Sequence, residues 1–123
     1  MTQEDKSLLL KDLCARLPYG LKVKCEKYSF PVTILYGSNI DEVKFKETGG
    51  IENIYAIKPY LFPLSSMTEE QSKVYHELIN GMFGTSALIN FEVLTDFFNS
   101  NHLDYRGLIK RGLAIDATGL NIY

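Results

Sequence analysis

The 123-residue sequence has no tryptophan, two histidines, two cysteines and four prolines. No apolar run approaches the ~20 residues needed to cross a bilayer. Each shortage excludes something. A zinc site would require Cys14, Cys25, His76 and His102 to converge, and their spacing follows no zinc pattern. The opening MTQEDKSLLLKDL has acids before its leucines and no basic region or small-residue cleavage site, so it does not read as a signal peptide. Without an export signal, Cys14 and Cys25 are expected to be free, buried thiols rather than a disulfide, and the expected compartment is the cytoplasm. There is also no excess of positive charge. Thirteen basic and fifteen acidic residues give a net charge of -2, which argues against bulk electrostatic binding of nucleic acid. His76-Glu77 lacks the second histidine of a metalloprotease helix, since position 80 is Asn80. Gly107 and Gly112 lack the lysine and hydroxyl of a phosphate loop, so no cofactor is expected.

What remains is a chain built to fold. Hydrophobic residues make up 46% and charged residues 23%, enough for a core without a metal or disulfide staple. Thr2 to Leu17 reads as a helix whose apolar stripe is Leu9, Leu10, Leu13, Cys14 and Leu17. The period then changes to two. Leu21–Lys27, Phe30–Tyr36, Glu42–Glu47 and Ile51–Lys58 read as four short strands. The second, with Val32, Ile34 and Tyr36 on one face and Thr33 and Leu35 on the other, is expected to be covered on both. Gly37-Ser38-Asn39 and Gly49-Gly50 read as turns, and Pro59 to Pro63 as a stiff hinge. Thr68 and Gln71 form a capping box for a second helix with the stripe Val74, Tyr75, Leu78 and Ile79. Met82–Ile89 reads as a connector, and Asn90 as the cap of a third helix facing inward through Phe91, Leu94, Phe97 and Phe98. Tyr105–Arg111 should make one or two helical turns before a docked tail. The expected fold is α+β: an N-terminal helix, then a small curled antiparallel sheet of four or five strands in an SH3-like arrangement, then two or three helices. A single domain over 1–123 would comprise residues 1–64 and a helical part, 65–123, docked on them.

Two stretches are more specific than their composition. KPYLFPLSSMTEEQ and NHLDYRGLI, with the opening LLLKDLCARLPYG, resemble segments of short proteins from gut bacteria and their phages or mobile elements. That group carries no assigned activity. The resemblance therefore implies a setting and an accessory role, and supplies no catalytic residues.

Three surfaces are candidates. Eight tyrosines and seven phenylalanines exceed what a small core needs, so Tyr55, Tyr60, Phe62 and Tyr105 are candidates for contact with a protein partner or a second copy. Arg106, Lys110 and Arg111 form a basic patch beside Tyr105 that suits an anion or nucleic acid. His102 and Asp104 have the spacing of a base and its orienting acid, as in a small hydrolase, but no nucleophile accompanies them. A capping Asp104 and an Arg106 paired with an acid account for the same residues as architecture. The sequence thus favours a non-enzymatic interaction protein, and assigns no catalytic, metal or cofactor residue.

Overall fold

A computed structural model describes residues 1–39, 41–81 and 87–123. Helix α1 (Gln3–Arg16) starts where Thr2 caps it. The Thr2 hydroxyl accepts from the Asp5 amide at 3.0 Å, and the Asp5 carboxylate accepts from the Thr2 amide at 3.3 Å. Two otherwise orphaned donors are thereby satisfied. The buried face is not the expected one. It consists of Leu9, Asp12, Leu13 and Arg16, while Leu10 is half-buried and Cys14 is exposed. Steps of three and four residues define the face, but two of its members are charged, and an apolar pattern passes over them. Both cysteines are free, and only Cys25 is buried.

Among the described residues seven strands follow: β1 (Lys22–Cys25), β2 (Val32–Asn39), β3 (Glu42–Phe45), β4 (Ile51–Asn53), β5 (Ile57–Pro63), β6 (Leu103–Asp104) and β7 (Ile115–Asp116). The five longer ones lie in the order β4-β3-β2-β1-β5, and every neighbouring pair is antiparallel. A single 3-10 turn, Ile54–Ala56, separates β4 from β5. The expected curled α+β unit is therefore present, with the strand order of an SH3-like arrangement. Its sheet is open, and it is mixed, because β5 also pairs in parallel with β6 and β7.

Several local expectations fail for identifiable reasons. Ile51–Lys58 is not one strand, because Asn53 accepts from the Tyr55 amide at 2.9 Å and caps a turn in its middle. Pro59–Pro63 is no hinge but part of β5, with β1 on one side and β6 and β7 on the other. Gly37-Ser38-Asn39 continues β2, with Gly37 opposite Val43 and Asn39 opposite Glu42. Nor is β2 covered on both faces. Ile34 faces Phe45, and the next partner pair is Tyr36 with Lys44, so an extra residue is inserted between them. In such a bulge two residues oppose one. Leu35 and Tyr36 both come out exposed, at 49% and 46%.

The turn between β3 and β4 is tight. Gly49 has φ of 67°, and a Cβ at Gly50 would lie 2.5 Å from the Tyr28 hydroxyl. Gly49 takes the left-handed conformation that favours glycine, and a side chain at Gly50 would require the Tyr28 hydroxyl to move.

Helix α2 (Glu69–Gly81) has the expected box. The Gln71 side chain accepts from the Thr68 amide at 3.0 Å, and the Thr68 hydroxyl accepts from the Gln71 amide at 3.1 Å. Of the expected connector, residues 82–86 lie outside the described residues. Helix α3 (Ala87–Ser100) begins before Asn90, which is therefore inside it rather than its cap. Leu94 and Phe98 are buried as expected, but Phe91 is 60% exposed. Tyr105–Arg111 forms turns, not a helix.

Two apolar clusters result. The larger joins Leu9 and Leu13 of α1 to the sheet and to Leu108, Leu113 and Ala114 of the C-terminal turns. The smaller gathers Leu94, Phe98 and Leu103, with Phe62, Tyr75 and Tyr105 packed on it. No described helix is long and apolar enough to cross a membrane.

Candidate functional site

The chemistry-bearing residues of NHLDYRGLI meet α1 at the joint between the two clusters. Its centre is Asp12, fully buried, with an arginine on each carboxylate oxygen. Arg16 Nε lies 2.9 Å from Oδ2 and Arg106 Nη1 lies 2.8 Å from Oδ1. Arg16 also donates through Nη2 to the Leu103 carbonyl at 2.6 Å, fastening α1 to β6 across 87 positions of sequence. Tyr105 supplies the wall. Its ring stacks on Phe98 at 4.9 Å, with the Arg106 guanidinium 4.4 Å and the Arg16 guanidinium 5.6 Å from its centroid. Asp12 and Arg16 were the functional-looking residues that the sequence reading missed. Their signal was present: an acid and a base four residues apart on the same face as Leu9 and Leu13.

His102 and Asp104 each engage other groups. Both Asp104 oxygens are occupied, accepting from the amides of Leu108 and Ile109 at 2.9 Å each. Asp104 caps the turn that follows it, and one amide on each oxygen fixes the carboxylate. His102 sits in the left-handed region at φ 58° and ends α3. Its ring lies flat on Tyr123, with centroids 3.7 Å apart and planes 11° from parallel. Burial, then the nearby Arg16 charge, lowers the His102 pKa to about 4, so the ring is neutral at ordinary pH. The contact with Tyr123 is therefore a stack of a neutral ring.

Tyr123 in turn anchors the tail. Its hydroxyl accepts from the Lys22 amide at 2.9 Å and donates to the Tyr60 carbonyl at 2.9 Å. Burial of that hydroxyl pushes its pKa up. Buried side-chain atoms without a protein partner also collect at this joint, namely Arg16 Nη1, Asn99 Oδ1, His102 Nδ1 and the Tyr105 hydroxyl.

The basic patch is largely neutralised. Arg106 is held by Asp12, and Arg111 lies 3.1 Å from Asp5 and 3.4 Å from Glu4, leaving Lys110 as an exposed cation beside them. The four candidate aromatics do not form one surface. Phe62 and Tyr105 pack on the smaller cluster, Tyr60 is half-buried in β5, and Tyr55 stands apart on its turn. The Tyr55 hydroxyl donates to Asp41 at 3.1 Å, and Lys6 Nζ lies 4.9 Å from its ring centroid.

The cavities lie elsewhere. One of about 530 Å³ runs between α2 and α3, lined by Glu70, Val74, Glu77 and Phe97. Another, of about 510 Å³, crosses β1 and β5. A small one of about 40 Å³ beneath α1 touches Cys14. None of the three reaches His102 or Asp104. Among the described residues no group of three His, Cys, Asp or Glu side chains is placed to hold a metal. No protein-family model, curated protein or solved structure matches this chain.

Proposed function

We propose that this chain is a non-enzymatic interaction protein that acts by contact with a protein surface, in the accessory setting its phage-like segments imply. One observation carries the reading. Leu35 and Tyr36 of the β2 bulge stand opposite Lys44, which stands opposite Ile51 of β4. The row crosses three strands, and Leu35, Tyr36 and Ile51 are each close to half exposed. Lys44 Nζ lies 5.8 Å from the Tyr36 centroid, so even the intervening cation covers apolar surface with its stem. Large apolar side chains scattered singly are ordinary, but a contiguous row beside an open sheet edge marks a contact face.

This face replaces the aromatic set of Tyr55, Tyr60, Phe62 and Tyr105, most of which is spent on packing. The nucleic-acid alternative loses support because Arg106 and Arg111 already have carboxylate partners. The hydrolase alternative loses it because the backbone holds both Asp104 oxygens.

The test compares the wild type with Tyr36→Ser/Ile51→Ser. Sedimentation detects self-association, and quantitative pull-down from host extract detects a partner. A self-contact or a partner lost in the double variant, with far-UV circular dichroism unchanged, is the expected result. A strict monomer that captures nothing sensitive to these two residues would overturn the reading.

A further inference from the structure

The outer face of β1 and β5 places two lysines at facing positions. Lys24 lies directly opposite Lys58 in the antiparallel register, and both are exposed. Facing positions in such a pair hold their Cβ atoms roughly 4.5–5.5 Å apart, and like charges there repel. Neither lysine has an ion pair or a side-chain hydrogen bond among the described residues. Across the strands Lys22 faces Thr33, Lys44 faces Tyr36 and Ile51, and Lys24 faces another lysine.

The pair lines the groove of about 510 Å³, whose other walls include Tyr55, Ile115 and Glu26. Beyond the groove's lining, the Tyr55 ring has Lys6 over it and the Tyr55 hydroxyl donates to Asp41, two charges of opposite sign. The local balance is therefore positive even with Glu26 counted. An aromatic ring and an isoleucine beside two unpartnered cations offer an apolar wall and a charge clamp together.

We propose that this groove binds a phosphate monoester carried on an aromatic body, with the phosphate between Lys24 and Lys58 and the ring against Tyr55 and Ile115. A dianion fits because two separate point charges must be answered, and lysine serves phosphate in that way. The site does not depend on the Leu35, Tyr36 and Ile51 row, and either can fail without the other.

The experiment titrates the full chain with phenyl phosphate and follows amide shifts by ¹H–¹⁵N NMR at low and high salt. Saturable shifts at Lys24, Tyr55, Lys58 and Ile115, weakened by salt, are expected. Lys24→Gln/Lys58→Gln should abolish the saturation while leaving the remaining spectrum folded, since both side chains are exposed and their removal relieves repulsion. No saturation at millimolar ligand, or saturation unchanged in the double variant, would overturn the site. Inorganic phosphate binding as tightly as phenyl phosphate would overturn the aromatic half of the proposal. Benzoate binding more tightly would overturn the phosphate half.

Discussion

Charge is treated in opposite ways in two regions of the molecule. At the joint with β6, Asp12, Arg16 and Arg106 are withdrawn from water and answer one another within hydrogen-bond distance. On the outer face of β1 and β5, Lys24 and Lys58 stay in water and oppose a like charge. Burying an ion demands a partner, because desolvation outweighs anything but close and well-directed attraction. A solvated pair is under no such demand, so its arrangement is free to serve something outside the fold. The residues that most resemble an active site are held by partners within the fold, and the lysines without an ion pair lie where the sequence looked ordinary.

The sharpest way to break this comparison is Asp12→Ala. It strands Arg16 at zero exposure and leaves Arg106 without its carboxylate. A loss of about 3–5 kcal/mol is expected from urea unfolding.

A smaller effect follows from His102. It is neutral in the fold down to about pH 4, whereas an unfolded imidazole titrates near 6.5. Between these values the unfolded chain holds more protons, so stability falls as pH drops from about 6.5 to about 4. The loss is on the order of 1–3 kcal/mol once the ring's partial exposure is allowed for. His102→Phe keeps the stack on Tyr123 and should flatten the curve in that window. An unaltered pH profile would remove His102 from the account.

The smallest effect has the opposite sign. Lys58→Glu converts the like pair with Lys24 into an attractive one and should stabilise by about 0.2–1 kcal/mol.

Local signals in the sequence were legible where the cause is local. Thr2 and Thr68 cap helices because hydroxyls at those positions meet amides three residues on. Val23, Cys25, Val43 and Phe45 alternate inward because a strand's side chains must. The β-bulge was invisible, since it depends on the register between β2 and β3, and it turned Tyr36 from core to surface. The short β6 and β7 were also beyond reach, because two residues carry no periodicity and their partner strand lies some forty to fifty-five positions earlier. At the site, Asp104 as a cap and Arg106 as half of an ion pair could be read from the sequence. The identity of that partner could not, because Asp12 lies 94 positions away.

The contrast between the two regions reduces to one comparison of unfolding midpoints in urea, run on the wild type, Asp12→Ala and Lys58→Glu at neutral pH and low salt. The account predicts midpoints that move apart, sharply down for Asp12→Ala and slightly up for Lys58→Glu, with unchanged slopes. An Asp12→Ala variant within about 1 kcal/mol of wild type, together with a destabilised Lys58→Glu, would contradict it.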